Sequence, residues 1–117
     1  MRENVTDFLP LSPATLNILL SLAGEDRHGY GIMQEVTRQS DGQFRLGPGT
    51  LYDNLQRLTG QKLVQALGQR EGDEDPRRRY YRLSSLGQSV LSAEISRLER
   101  VVLEGRSVLQ ALKSRRT

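Results

Sequence analysis

The sequence predicts a mainly α-helical fold of the α+β class, and three observations support that prediction. Two short helical segments precede a third, which begins at the proline of a Gly-Pro-Gly sequence at residues 47–49. Two β-rich segments separated by a polar, glycine-containing stretch follow, as is typical of a hairpin. A long amphipathic segment completes the 117 residues. This order indicates a winged helix-turn-helix domain followed by a long C-terminal dimerisation helix.

The composition is that of one small globular domain. A chain of 117 residues, 36% of them hydrophobic, can bury a modest core, and such cores are often completed by association. No run of about 18 apolar residues is present, so no membrane span is predicted. Residues 1–10 lack the apolar stretch of a signal peptide, and a cytoplasmic location is expected. The absence of cysteine excludes disulfides and thiolate metal sites.

The positive charge comes almost entirely from arginine. The formal net charge is +3, and fifteen arginines accompany two lysines among the seventeen basic residues. A planar guanidinium group donates paired hydrogen bonds to phosphate or to the edge of guanine, which lysine cannot do. This bias favours a nucleic-acid partner, although a GC-rich genome would also favour arginine codons.

The first part of the chain predicts an arm and a buried helix. Residues 1–11 are expected to form a loose arm that precedes a domain spanning residues 12–83. Ser12 and Pro13 are typical of an N-cap and a first helical turn, and Gly24 of a helix end. The helix between them is apolar around most of its circumference, so we expect burial on more than one side.

A second helix is predicted from about residue 29 to Ser40, with its apolar side chains inward. The Asp-Gly pair at residues 41–42 turns the chain, and residues 44–46 are expected to form a short strand. His28 has no carboxylate or second histidine at the spacing of a metal site or a catalytic triad. We therefore interpret His28 as a structural or capping residue.

The third helix, predicted over residues 48–58, is the segment that says most about function. Leu51, Leu55 and Leu58 fall at i, i+4 and i+7, which places them in one narrow apolar stripe. The other face carries small, hydrogen-bonding and cationic groups, as a helix in the DNA major groove requires. The candidate DNA-binding residues on this helix are Gly49, Thr50, Tyr52, Asp53, Gln56 and Arg57. An ordinary solvated helix would look similar, and only the flanking elements favour DNA.

Several of these side chains suit a particular contact with DNA. Gln56 suits a base edge, adenine being its best match, and Arg57 suits either guanine or phosphate. Thr50 and Tyr52 suit phosphates near the helix start, where backbone N–H groups also point outward. Asp53 would be repelled by DNA unless it accepted a hydrogen bond from cytosine. Its alternative role is a local ion pair with Arg57 at i+4.

Residues 63–67 and 78–83 are predicted as the two strands of a hairpin that forms the wing. The polar residues 68–77 between them form its loop. Three arginines at the base of the loop are candidates for contacts with the DNA backbone: Arg77, Arg78 and Arg79. Four acidic residues in the loop resemble a metal-binding cluster but lack EF-hand spacing, and a solvated acidic tip is the simpler interpretation. They are Glu71, Asp73, Glu74 and Asp75.

Residues 84–113 are predicted to form the final helix, with Ser84 and Ser85 as N-cap candidates. At 1.5 Å per residue this helix would be ~43 Å long. Its apolar positions recur alternately four and three residues apart, a heptad pattern that predicts a dimer interface. That interface would consist of Leu91, Ile95, Leu98, Val102, Gly105, Leu109 and Leu112. The alternative is that the helix packs back onto its own domain.

No arrangement of residues typical of an enzyme is present. Residues 47–50 resemble a phosphate-binding loop only faintly, because they lack the lysine and the spacing of that motif. The single histidine offers no Ser-His-Asp triad. We therefore predict no catalytic residue, no metal site and no cofactor.

Four groups of residues together resemble the PadR family of bacterial transcriptional regulators. They are His28-Gly29-Tyr30-Gly31-Ile32, Gly47-Pro48-Gly49-Thr50-Leu51-Tyr52, Leu63-Val64, and Arg79-Tyr80-Tyr81-Arg82-Leu83 with Leu86-Gly87. The resemblance extends over residues 11–112, and the single terminal helix is similar to the compact branch of the family. It implies a homodimeric winged-helix protein that binds operator DNA, usually as a repressor.

The resemblance also implies an effector, since some members are released from DNA by phenolic or drug-like ligands. A small hydrophobic effector would lie near Gly105, where the interface lacks a side chain, or between the terminal helix and the winged domain. Two features depart from the family pattern: the acidic wing and the absence of aromatic residues from the terminal helix. Because the wing is acidic, contacts with the DNA backbone are expected from the arginines at its base. Because the terminal helix has no aromatic residue, it cannot form an aromatic-lined ligand site between the two dimer helices.

The sequence thus predicts a homodimeric, sequence-specific DNA-binding transcriptional regulator, most simply a repressor at an inverted-repeat operator. Its partners would be double-stranded DNA, a second copy of the chain and a small hydrophobic effector. Two alternatives come from other classes: a protein–protein interaction module that uses the terminal helix, and an effector-binding protein with little affinity for DNA. Binding that falls steeply with salt would favour the regulator, because neutralised phosphates release counterions.

Overall fold

The computed structural model describes residues 4–116 and has the architecture that the sequence predicts, a mainly helical winged helix-turn-helix with a long terminal helix. Its elements are a 3-10 helix (Val5–Phe8), α1 (Pro13–Gly24), β1 (Arg27–His28), α2 (Gly29–Gln39), α3 (Pro48–Gly60), β2 (Val64–Gly68), β3 (Tyr80–Leu83) and α4 (Ser85–Arg116). The helices α1 to α3 surround one core, the hairpin of β2 and β3 forms the wing, and α4 leaves the domain.

Side-chain caps mark where helices begin, as α2 and α4 illustrate. The Nδ1 atom of His28 accepts the N–H of Gly31 at 3.0 Å and caps α2, which confirms the capping interpretation. The hydroxyl of Ser84 accepts the N–H of Gly87 at 2.9 Å at the start of α4. Each bond satisfies a helix N–H group that has no partner within the helix. Gly87 is needed there, because a Cβ atom would lie 2.2 Å from the carbonyl oxygen of Leu63.

The three strands form one antiparallel sheet in the order β1-β3-β2. The prediction of a strand at residues 44–46 is wrong, since that segment is irregular. The first strand instead consists of Arg27 and His28, which pair with Tyr81 and Tyr80 of β3. The turn after α1 brings these two residues to the free edge of β3, and a strand of two residues leaves no periodic signal in the sequence.

A core of leucine, isoleucine and valine side chains lies between α1, α2, α3 and the sheet. The predicted stripe of α3 is buried within it, with Leu51 and Leu58 at 0% exposure and Leu55 at 1%. Ile18 and Leu19 of α1 are also fully buried, and α1 contacts α2, α3, α4 and β3. Burying one such side chain contributes ~1.5–3 kcal/mol. The stripe therefore fixes which face of α3 points away from the domain.

The arm predicted over residues 1–11 is not loose where the structure describes it. Residues 1–3 lie outside the described residues, but Val5–Phe8 form a 3-10 helix that packs against α4. The N–H of Leu11 donates to Glu94 Oε2 at 2.8 Å, and Glu94 is fully buried. Arg97 donates two hydrogen bonds to the same carboxylate. The arm is thus attached to α4 through a pair of residues that are distant in sequence.

Helix α4 extends well beyond the domain. Its 32 residues correspond to ~48 Å at 1.5 Å per residue. Beyond Leu91, which is buried, the predicted heptad positions are exposed or half-buried: Ile95, Leu98, Val102, Gly105, Leu109 and Leu112. Three large apolar side chains that are exposed on the described part of α4 lie outside that pattern: Val101, Leu103 and Val108. The alternative that α4 packs back onto its own domain is therefore wrong for the part after residue 95.

Candidate nucleic-acid interface

The candidate interface is centred on α3, whose two faces differ in exposure. The leucine stripe is buried, whereas every residue assigned to DNA on this helix is exposed: Gly49, Thr50, Tyr52, Asp53, Gln56 and Arg57. Within residues 4–116, the side chains of Asp53 and Gln56 make no hydrogen bond or ion pair. Both side chains are free to bind a group outside the chain.

Tyr52 is held against the start of α2. A Cβ atom on Gly29 would lie 2.3 Å from the hydroxyl oxygen of Tyr52, so only glycine permits this contact. The next residue, Tyr30, is 58% exposed, and Tyr52 is 49% exposed. Two phenol groups therefore lie at the solvent side of the helix-turn-helix. Tyr30 is not among the DNA-binding candidates predicted from the sequence, although its place in the first turn of α2 was a usable signal for an exposed aromatic side chain.

Arg57 is turned towards α1 rather than along the outer face of α3. Its guanidinium group donates to Thr15 Oγ1 at 2.9 Å and to Asn54 Oδ1 at 2.6 Å. The alternative pair between Asp53 and Arg57 is therefore wrong, because Arg57 lies on the side of the helix that faces the buried hydroxyl of Thr15. Ser12 also donates to that hydroxyl at 3.0 Å. Arg57 thus helps to position α3 on α1.

The three arginines at the wing base have different surroundings. Arg77 pairs with Asp75 at 3.3 Å, and Arg78 pairs with Asp73 at 3.3 Å. Arg79 is exposed and makes no ion pair in the described part of the chain. Of the three, Arg79 is therefore the cation most available to phosphate.

The acidic residues of the wing also fall into two classes. Asp73 and Asp75 bind groups within the loop, and the hydrogen bond from the hydroxyl of Tyr80 lowers the pKa of Asp73 below its usual value. Glu71 and Glu74 are exposed and unpaired among the residues that the structure describes. The predicted solvated acidic tip thus applies to the two glutamates only.

The base of the wing is tied to the domain through aromatic and ionic contacts. The guanidinium carbon of Arg70 lies 4.3 Å from the ring centre of Tyr80, and the ring of His28 meets Tyr80 edge-on at 5.2 Å. On the other side, Arg82 donates to both oxygens of Asp26, which lowers the pKa of Asp26. Burial lowers the pKa of His28, which favours the neutral ring whose Nδ1 accepts the capping bond.

The described region offers no set of metal ligands. In residues 4–116 no group of three or more His, Cys, Asp or Glu side chains is arranged to hold a metal ion. None of the described helices is long and apolar enough to cross a membrane.

A groove of ≈ 660 Å³ lies between α4 and the winged domain, one of the two places predicted for an effector. Its walls are mixed in character, with apolar Leu22 and Leu91 beside charged Asp26, Arg82 and Glu99. Farther along α4 lies a shallower, apolar groove with a volume of ≈ 340 Å³. It is lined by Ile95, Leu98, Glu99, Val102 and Leu103. Gly105 has nothing within 4 Å of the place where a Cβ atom would stand.

Known proteins are similar to this chain in both sequence and fold. Residues 18–93 match the model of the transcriptional regulator PadR-like family. The transcriptional regulator Rv3488 of Mycobacterium tuberculosis is 33% identical over 95 residues, which cover 79% of this chain and 84% of that protein. An uncharacterised protein X of Lysinibacillus sphaericus is 33% identical over 96 residues, covering 75% of this chain and 85% of that protein.

The fold has a solved counterpart as well. A PadR family transcription regulator from hypervirulent Clostridium difficile R20291 superposes with a TM-score of 0.72 at 23% identity, over 84% of this chain and 99% of that one. The matched residues 18–93 contain α2, α3, the wing and the start of α4. This chain therefore belongs to the PadR-like family of transcriptional regulators, a family of transcription factors rather than enzymes.

Proposed function

We propose that this chain acts as a homodimeric repressor that binds an inverted-repeat operator through α3. The observation that supports this most strongly is the contrast between the two faces of α3. Its leucine stripe is fully buried, while Asp53 and Gln56 on the opposite face have no partner in the described chain. A helix anchored in the core by one face, with free hydrogen-bonding groups on the other, suits direct reading of base edges.

Each contact on DNA is assigned from the exposure of the side chain concerned. Gln56 reads a base edge in the major groove, while Thr50 and Tyr52 bind phosphates beside the start of α3. Arg79 binds the flanking backbone from the wing base. Arg57 has a positioning role in place of the base or phosphate contact expected from the sequence, because it is bonded to Thr15.

The second copy of the chain is placed along α4. The heptad positions after residue 95 expose Val102 at 50% and Leu109 at 60%, and no other part of the chain within residues 4–116 covers them. A two-fold pairing would bury these side chains on both copies at once. It would also present two α3 helices to DNA with opposite polarity, which matches an inverted repeat.

The test is selection of bound fragments from random double-stranded DNA, followed by a salt titration on the enriched sequence. The expected result is an inverted repeat whose half-site centres lie about one helical turn, or ~34–36 Å, apart. The affinity should fall steeply with salt, because several phosphates are neutralised in each half-site. If no DNA sequence is enriched and any remaining DNA binding does not depend on salt, the proposal is overturned and the protein–protein module is favoured.

Repression is tested separately from binding. The enriched sequence is placed between a promoter and a reporter gene, and the chain is expressed in the same cells. Reporter output should fall for the wild-type chain and recover when the operator is scrambled. Increased output would assign the chain as an activator.

A further inference from the structure

The wing contains an acidic residue whose side chain is almost fully buried. The side chain of Asp73 is 5% exposed, whereas its neighbours Glu71 and Glu74 in the same loop are exposed. A carboxylate that faced DNA would weaken binding through repulsion, and it would have to be exposed to do so. The burial of Asp73 therefore calls for another explanation.

The carboxylate of Asp73 joins the two sides of the wing loop. The Tyr80 hydroxyl and Arg78 Nη1 donate to its two oxygens, the second bond being 3.3 Å long. The N–H of Asp75 donates to Asp73 at 3.2 Å. Three donors thus converge on one side chain. One belongs to β3, one to the segment before it and one to the loop itself. The loop is held back onto β3 by these bonds.

Tyr80 connects this cluster to the helix-turn-helix. Its ring lies edge-on to His28 at 5.2 Å, and His28 caps α2 through the N–H of Gly31. Arg70 covers the other part of the ring at 4.3 Å and forms an ion pair with Asp26 at 3.9 Å. A continuous series of contacts therefore runs from the wing loop to the start of α2, next to the Gly29–Tyr52 contact with α3.

We propose that Asp73 is a positioning residue for DNA binding, which holds the wing in the orientation that places Arg79 on the phosphate backbone. Its charge is used within the loop, since it pairs with Arg78 and accepts from Tyr80. Asp73 thus strengthens DNA binding, despite its negative charge. This inference rests on the proposed function, in which the wing contacts DNA.

The two roles available to Asp73 predict changes of opposite sign. If Asp73 acted only as a charge near DNA, its removal would lower repulsion and free Arg78 for phosphate, so affinity would rise. If Asp73 holds the wing, its removal lets the loop move and withdraws Arg79 from the backbone, so affinity falls. The Glu74→Ala variant is the matched control, because it removes one carboxylate from the same loop without breaking a described bond.

The experiment measures operator affinity over a range of salt concentrations for the wild type, Asp73→Ala, Glu74→Ala and Tyr80→Phe. We expect Asp73→Ala to bind about three- to tenfold more weakly, the equivalent of one net hydrogen bond. Its salt slope should be smaller by about one phosphate contact. Glu74→Ala should bind as tightly as the wild type or more tightly. Tyr80→Phe, which changes no charge, should weaken binding in the same direction as Asp73→Ala.

Two further measurements keep the outcome decisive. The double variant Asp73→Ala/Tyr80→Phe should lose no more affinity than Asp73→Ala alone, because both changes break one network. Hydrogen exchange at residues 72–78 without DNA should be faster in both single variants, while protection of α3 is unchanged. Affinity that rises equally in Asp73→Ala and Glu74→Ala would overturn the inference while leaving the proposed function intact. If the wild type itself fails to select DNA, the proposed function fails. Unchanged hydrogen exchange at residues 72–78 in the two single variants would refute the wing contacts, whatever the result for DNA binding.

Discussion

Neighbouring residues of α3 have opposite roles because consecutive side chains point about 100° apart on a helix. Leu55 is 1% exposed and anchors the helix in the core, and the adjacent Gln56 is exposed without a partner in the described chain. Arg57, one position farther, turns to α1 and binds Thr15. A base contact is therefore expected of Gln56, and a positioning role of Arg57.

The replacement Gln56→Ala tests the base contact. It should weaken operator binding by ~1–3 kcal/mol and relax specificity at one base pair, because a bidentate amide contact is removed. The measurement is fluorescence anisotropy on the operator and on its single-base variants. The control is Gln110→Ala on the exposed part of α4, which should change neither value. Equal losses on all sequences would assign Gln56 to the backbone instead.

Arg79→Ala should have the contrasting effect. Since a phosphate contact carries no sequence information, binding should weaken alike on operator and unrelated DNA, and the salt slope should fall by about one. Arg77→Ala is the comparison variant, because Arg77 is already paired with Asp75 and its removal should matter less. A larger effect of Arg77→Ala than of Arg79→Ala would contradict the assignment of Arg79.

At the level of elements, the segment from the 3-10 helix to Leu11 is attached directly to α4. The 3-10 helix packs on α4, and the bond from Leu11 to the buried Glu94 fixes the segment between them. Arg97 supplies the countercharge that a buried carboxylate requires. The base of α4 is thereby held to the winged domain from a second side.

This attachment predicts how the stability of the fold depends on pH. The hydrogen bond from Arg97 lowers the pKa of Glu94 below its ordinary value of 4.5. A carboxyl group with a lowered pKa in the folded state stabilises the fold above its unfolded pKa, and this contribution is lost as the pH falls through the folded value. Urea unfolding of the wild type between pH 7 and pH 3 should therefore give a stability that falls below about pH 4.5.

The variant Glu94→Gln isolates this contribution. At pH 7 it should be less stable by ~1–3 kcal/mol, since Arg97 loses a charged acceptor, and the difference from the wild type should shrink towards pH 3. Glu99→Gln, on an exposed part of the same helix, is the control and should follow the wild type at every pH. A difference that stayed constant down to pH 3 would show that the charge of Glu94 is not the cause.

The projecting part of α4 predicts association. The double change Leu98→Asp/Val102→Asp should convert the proposed dimer to a monomer or unfold it, because two carboxylates would enter a desolvated interface on each helix. Sedimentation velocity at micromolar concentration measures the mass, and circular dichroism measures folding. The matched variant Ser96→Asp/Ser107→Asp adds the same charge away from the heptad pattern and should remain dimeric. A folded wild-type monomer at that concentration would refute the dimer.

The shape of the whole molecule allows for a regulating ligand. The groove between α4 and the winged domain joins the element proposed to set the dimer to the elements proposed to bind DNA. A small hydrophobic molecule bound there or near Gly105 should raise Tm, because it binds only the folded state, and should weaken operator binding. Thermal shift against phenolic acids and lipophilic cations is the measurement. No shift across the panel, with DNA binding unchanged, would contradict an effector of this class.

The elements whose signals are local could be predicted from the sequence. The leucine stripe of α3, the cap of α2 by His28 and the polar loop between two β-rich segments all depend on residues within a few positions of one another. Such patterns survive in any tertiary context, because helix and strand periodicity alone set which side chains share a face. The winged-helix architecture and the exposed face of α3 were therefore predictable.

The features that join distant residues became visible only in the folded chain. The strand at Arg27 and His28, the docking of Leu11 on Glu94 and the turn of Arg57 to Thr15 each need a partner brought close by the fold. The same holds for Asp73, which looks like a solvated acid in sequence but meets Tyr80 in space. A hydrogen bond depends on a distance of about 3 Å, which sequence spacing does not encode once the partners belong to different elements.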